Sequence, residues 1–290
     1  MSANAKIVSD NPSELGEGPV YDPSTGTVWW FNIVGRELHG LHLESQAKSV
    51  QPLNFLASVM ALVDGERQLI ASDQGLFLRD AETGAFETYA DIEDKPGNRT
   101  NDGRVHASGA LWISTMGRSA EKNAGAIYHV AKGKVTHIVS DITIPNGICF
   151  SPDGRTGYYS DTGLNRFMRV ALDPATGLPT GEPALMVEEP ESEGGFDGAV
   201  CDAEGLVWAA RWGASAIDVY SPDGKRLARH TVPVSQPSCP AFVGRSADRL
   251  LFTSAWQGLD EAGRSKDPDA GKTFLLDIDV KGRFEPVYVL

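Results

Sequence analysis

Asn98 to Gly117 reads NRTNDGRVHASGALWISTMG. Its first nine residues hold Arg99, Asn101, Asp102, Arg104 and His106. A tight Ala107-Ser108-Gly109 turn follows, then an apolar strand that ends Thr115-Met116-Gly117. Polar groups this dense suit the rim of a site better than a core. The order of polar inner strand, glycine turn and apolar second strand recurs along the chain. Comparable turns are DPSTG at Asp22, DGER at Asp64, SPDG at Ser151, DAEG at Asp202 and GRSAD at Gly244. Their marker positions, near 26, 65, 109, 154, 205 and 248, are 39 to 51 residues apart. A second turn series interleaves with the first: DAETG at Asp80, AKGK at Ala131, DPATG at Asp173, SPDG at Ser221 and DVKG at Asp279. Gly, Asp and Pro there supply the backbone angles that tight hairpins need.

The most apolar strand of each unit follows the first turn: TVWWFNI, QLIASD, ALWIST, TGYYSD, LVWAARW and RLLFTSAW. About four strands in a period of ~40–50 residues is the pattern of propeller blades. Helical periodicity is nowhere sustained. The expected fold is therefore all-β, a six-bladed β-propeller with four-stranded antiparallel blades, in one domain over residues 1–290. The blades fall near 14–56, 57–95, 96–143, 144–193, 194–235 and 236–290. Residues 5–8 are expected to close the ring as an outer strand of the last blade, which pairs the two termini and hides edge strands. The final FEPVYVL competes for that slot.

Composition sets outer limits. With 41% hydrophobic and 22% charged residues, the 290-residue chain is globular in composition. Its net charge of -13 argues against nucleic acid, which needs a basic footprint. The five glutamates between Glu182 and Glu193 read as a solvated loop. No run approaches the ~18 apolar residues of a membrane span, and MSANAKIVSD has no apolar leader core. Cys149, Cys201 and Cys239 are odd in number and form no CxxC pair, so buried free thiols and a cytoplasmic setting are expected. A monomer or small homo-oligomer is equally compatible with the sequence.

In a propeller the innermost strands converge on the axis. Asn101, Asn146 and Asp197 each precede their turn glycine by 8 residues, and Glu17 precedes Gly26 by 9 because its turn is longer. The other two blades offer only Ser58 and Ser238 at that level. Singly, each of the four reads as a hairpin cap or a backbone partner. Their shared register instead describes a ring of two carboxylates and two amides, costly to bury without compensation. A hard cation supplies it, Ca²⁺ first, with Mg²⁺, Mn²⁺ and Zn²⁺ also compatible with oxygen donors.

Four stretches carry a resemblance: GEGPVYDP (Gly16 to Pro23), NRTNDGRVHASG with its STMG, IPNGICFSPDG (Ile144 to Gly154) and FDGAVCDAEG (Phe196 to Gly205). In this order, from about Ser13 to Trp256, they resemble the motifs of the senescence marker protein (regucalcin) and gluconolactonase family. That resemblance implies a six-bladed propeller with one divalent metal at the channel mouth, hydrolysing small sugar lactones to sugar acids. It implies Glu17, Asn146 and Asp197 as metal ligands, with Arg99 and Asn101 meeting the substrate and Asn101 near the metal. Asp197 is then the expected general base for water, with Arg99 orienting the ring oxygens or hydroxyls.

The chain departs from the family pattern after Met116. An acidic residue that contacts substrate is common there, whereas this chain has Gly117-Arg118-Ser119, with Glu121 two places on and able to bind substrate only if the loop shifts. Arg118 is expected to face an anionic group, such as the second carboxylate of an aldaric acid lactone, with Arg211 and Arg104 as further candidates. For each arginine a surface side chain or loop salt bridge is the plainer reading. Asp161 and Asp102 are expected to support the ligands from behind, and His106 reads as a satisfied core or rim histidine. The six tryptophans read as blade packing. Two other functions compete: a calcium- or partner-binding propeller without catalysis, and a lactonase or esterase for non-sugar esters.

Overall fold

Six four-stranded antiparallel sheets account for the strands among the described residues. The computed structural model describes residues 4–290; residues 1–3, which belong to the 1–290 domain and the N-terminal segment read above, lie outside the described residues. The inner strands of blades 1 to 6 are Gly16–Asp22, Ala57–Leu62, Asn98–Val105, Pro145–Phe150, Gly195–Cys201 and Pro237–Val243. Each packs against the next, and the ring closes between blade 6 and blade 1.

Burial falls from the axis outward. The inner strand Ala57–Leu62 and the second strand Leu111–Gly117 are buried along their whole length, whereas the outer strand Lys48–Pro52 is almost entirely exposed. This explains why the second strands are so apolar: both faces of each meet a neighbouring blade. Six apolar clusters result, one at each blade–blade interface. Between blades 3 and 4, for example, Trp112 and Ile127 meet Phe150, Tyr159 and Val170. Trp112 Nε1 is satisfied there by the carbonyl of Gly177 at 2.9 Å.

The last blade is completed from the front of the chain. Ala5–Ser9 pairs antiparallel with Thr273–Leu276, bringing Ala5 opposite Leu276 and Ile7 opposite Phe274. FEPVYVL does not take that slot. Instead residues 280–290 cross the far end of the channel. Gly282 N donates to Ala247 O, Tyr288 N to Leu62 O and Val289 N to Gly109 O, while Lys281 O accepts from Ala203 N.

The acidic run also differs from expectation. Ala184–Glu188 is the outer strand of blade 4. Glu188 pairs with Arg166, Glu189 with Arg226, and Glu193 with Arg226 and Arg229 of blade 5. Only Glu182 and Glu191 of the five remain outside such pairs as simple solvated residues among the described contacts. The three cysteines are free and buried. Among the described residues no helix is long and apolar enough to cross a membrane.

Candidate active site

Every inner strand slips register against its second strand at one level. The shifts lie between Glu17 and Val20, Ala57 and Val59, Thr100 and Gly103, Asn146 and Cys149, Phe196 and Ala199, and Pro237 and Pro240. Such bulges bend a strand and re-aim its side chains. They turn Glu17, Asn101, Asn146 and Asp197 toward one cleft of about 280 Å³ at the channel mouth. Two glycines make the bend possible. Gly18 and Gly147, directly after Glu17 and Asn146, adopt φ of +57° and +61°, where a side chain would be strained. A Cβ on Gly18 would also lie 2.1 Å from the carbonyl oxygen of Ser58. A glycine directly after Glu17, Asn146 and Asp197 was thus a readable signal that the spacing count did not use.

The two blades without a large polar residue close the level with hydroxyls. Ser58 Oγ donates to Thr100 Oγ1 at 2.9 Å, and Ser238 Oγ bonds the carbonyl of Gly16.

Glu17 and Asp197 are only 6% and 5% exposed. Burial, and then the Asp102 carboxylate, push the Glu17 carboxyl up to about 8. Burial, with Glu17 and Asp102 adding to it, holds Asp197 well above the usual carboxylate range. The nearby cation only partly offsets this. Burial lowers the Arg99 guanidinium to about 10 against the pull of Glu17 and Asp197. Its Nη1 is bonded to Asn101 Oδ1 at 2.7 Å and to Thr100 O at 2.9 Å.

A chain of amides links the donors. Asn101 Nδ2 donates to Asn146 Oδ1 at 3.0 Å and to Pro145 O at 2.9 Å. Asn146 Nδ2 donates to Thr162 Oγ1 at 3.0 Å, and Thr162 Oγ1 in turn donates to Phe196 O at 2.6 Å. Thr162 therefore fixes which end of the Asn146 amide faces the axis and ties it to the residue before Asp197. Nothing in the sequence pattern singled it out, because it lies in the loop after a second strand.

Two carboxylates and an amide oxygen, buried together with excess negative charge, suit a hard divalent cation. Among the described residues no three His, Cys, Asp or Glu side chains gather as a metal site, since here the third donor is an amide.

Other candidates fall in different places. Asp102 lies below the level, where Oδ2 accepts from Ile148 N and Oδ1 from Gly103 N, each at 2.7 Å. Burial raises it to about 6. Asp161 accepts from the backbone amides of Thr143, Ile144 and Gly163, bracing the approach to Asn146 without touching its side chain. Arg118 lines the cleft and pairs with Asp73 of blade 2 at 2.7 Å. Glu121 is turned away: its Oε2 accepts from Ser119 N at 3.1 Å and rests against Gly117, so it braces the loop. Arg211 does not reach the cleft. It is fully buried, its guanidinium carbon 3.6 Å from the Phe196 ring centre, with Nη2 donating to Gly194 O at 2.7 Å. Its place at the end of the strand LVWAAR made it a candidate, but it points between blades instead. His106 is a satisfied core histidine, bonded to Gly154 O and Ser108. Trp212, read as packing, is a cleft wall with Leu15, Met116 and Ile144.

Residues 15–256 match the model of the SMP-30/gluconolactonase/LRE-like region family. The chain belongs to that family. Among its relatives is a Rhizobium meliloti (strain 1021) protein provisionally named a sugar lactone lactonase, 65% identical over 99% of this chain and 98% of that one. The 6-deoxy-6-sulfogluconolactonase of Pseudomonas putida is 30% identical over 99% of both chains. A crystal structure from Agrobacterium tumefaciens, described as the calcium-binding protein regucalcin, superposes with a TM-score of 0.99. It is 56% identical and covers 100% of this chain and 99% of that one. Family membership thus accords with the four stretches that carried the resemblance, which span nearly the same residues.

Proposed function

We propose that this member of the SMP-30/gluconolactonase family hydrolyses the lactone of a sugar acid in the channel-mouth cleft, with one divalent cation held by Glu17, Asn146 and Asp197. The observation that carries the reading is the pair of buried carboxylates, Glu17 and Asp197, in a cleft whose nearest arginine, the half-buried Arg99, is already bonded to its neighbours. Such a pair is costly until a cation neutralises it. When bound, a divalent cation supplies Lewis-acid polarisation of the lactone carbonyl and charge opposite the developing oxyanion. Ca²⁺ is the first candidate, in keeping with the description of the Agrobacterium relative.

The chain's own residues do the rest. Asp197 takes a proton from the attacking water as its oxygen bonds to the carbonyl carbon. The ring C–O bond then breaks, and the same carboxyl returns the proton to the departing alkoxide, leaving the open hydroxy acid. Arg99 donates to ring oxygens or hydroxyls, held in plane by Asn101 and Thr100. Trp212, Met116, Leu15 and Ile144 offer an apolar wall to the C–H face of the sugar. Arg118, with its pairing to Asp73 leaving other donors at the rim, receives a second anionic group on the lactone. The sulfonated substrate in the name of the Pseudomonas relative fits that class.

The test is acid release from a panel of aldono- and aldarolactones, with EDTA and cation add-back. The expected result is hydrolysis lost on chelation and restored by Ca²⁺ or Mn²⁺. Activity indifferent to thorough chelation overturns the cation's role. A protein that binds cation but opens no sugar lactone is a binding propeller or an esterase for other esters.

A further inference from the structure

The register slip between Asn146 and Cys149 takes Ile148 out of the pairing with its second strand. Buried peptide groups must then be satisfied from elsewhere. At the fourth blade Asp102 Oδ2 takes Ile148 N at 2.7 Å, and Arg104 Nε lies 3.4 Å from Ile148 O. At the fifth blade Arg104 Nη2 donates to Ala199 O at 3.1 Å. Ile148 and Ala199 are each two residues beyond Asn146 and Asp197, and Arg104 is three beyond Asn101 on its own strand. One buried guanidinium therefore ties together the inner strands of three blades, just below the residues each contributes to the cleft. Its counter-charge comes from the far end of the chain. Glu285, on the segment that crosses the base of the channel, pairs with Arg104 Nη1. Arg283 of the same segment donates to Phe150 O and, at 3.0 Å, to Cys201 O.

We infer that Arg104 and Glu285 are positioning residues, an anchor at the closed end of the channel that sets the spacing of Asn101, Asn146 and Asp197 at the open end. The inference rests on the cation site proposed above, but its own contacts are independent of any cation. Without Glu285, Arg104 loses the carboxylate it is directly paired with and keeps only the more distant Asp102, so it turns toward solvent at the base and releases Ile148 and Ala199. The inner strands of blades 4 and 5 then drift apart at the level of the ligands. Outer supports of metal ligands commonly change affinity by 10–100-fold when removed.

The deciding comparison is between full-length Glu285→Gln, which keeps shape and removes charge, and Tyr288→Phe, which removes a hydroxyl on the same segment without touching Arg104. Direct Ca²⁺ titration should show about 10-fold weaker binding for Glu285→Gln and unchanged binding for Tyr288→Phe. In the cation-free proteins, hydrogen exchange over residues 145–150 and 197–201 should rise about 10-fold for Glu285→Gln alone. A Glu285→Gln protein with lower melting temperature but wild-type exchange in those segments overturns the anchor, as does wild-type Ca²⁺ affinity. If wild-type protein binds no divalent cation, the cation site fails by itself, and the exchange measurement still decides the anchor.

Discussion

The two ends of the channel hold buried charge in opposite states of completion. At the closed end Arg104 finds Glu285, Asp102 and two backbone carbonyls within the chain. At the open end, about 10 Å away by strand rise from Arg104 to Asn101, Glu17 and Asp197 line one cleft with Arg99 as the main positive charge beside them, Arg104 acting more weakly on Glu17. Glu17 and Asp197 are at least as far removed from water as Glu285, whose side chain is 19% exposed, so solvent does not explain the difference. The chain spends its C-terminal segment on neutralising the base and nothing comparable on the mouth. An ionic cluster completed from within is architecture, whereas one left a positive charge short is a candidate place for a ligand.

That contrast can be broken most severely at Asp197. Asp197→Asn should lower kcat on the preferred lactone by on the order of 1,000-fold, as expected for a lost proton acceptor, with an unchanged circular dichroism spectrum. A kcat within tenfold of wild type would sink its role as base. The next effect is on pH. Glu17 titrates near 8 in the cation-free fold against an ordinary 4.5. Because its folded value is raised, the folded state holds the proton more tightly, so the cation-free protein loses stability as pH rises from about 4.5 to 8. Cation binding runs the other way, since the proton must leave first. Ca²⁺ affinity should tighten on the order of 100-fold between pH 6 and pH 8, read by titration at several pH values, and a flat profile would contradict the pairing of these carboxylates.

Smaller perturbations sharpen the comparison. Thr162→Val frees the Asn146 amide to rotate, and Ca²⁺ affinity should fall about 10-fold while Arg99-dependent substrate contacts stay intact. Unchanged affinity would show that Asn146 needs no such clamp. Arg118→Ala should reduce kcat/KM about 10-fold on lactones carrying a second anion and leave neutral aldonolactones untouched. An equal loss on both would make Arg118 a loop brace through Asp73. At the closed end Tyr288→Phe removes bonds to Tyr89 and to Gly133 N. It should cost about 1 kcal/mol of stability in denaturant unfolding with kinetics unaltered.

Sequence alone carried the blade period, the strand count, the closing N-terminal strand and the level at which polar residues converge. These follow from local patterning. Turn glycines and aspartates fix where each hairpin bends, and apolar second strands state which faces need neighbours. The shared offset of Asn101, Asn146 and Asp197 from their turns is a local measure too, repeated because each blade is built alike. What sequence did not carry are contacts between segments with no fixed spacing. Arg211 looked available because it ends a strand, yet blade packing seats it on Phe196. Glu121 looked able to serve if its loop shifted, yet it folds back on that loop. Thr162 and Glu285 had no motif at all, lying 16 and 181 residues from the side chains they hold. Repetition writes the scaffold into the chain, but neutralisation of buried charge is settled only when remote segments meet. Only the closed ring brings the last residues of the chain beneath Arg104 and gathers Glu17 and Asp197 in one cleft.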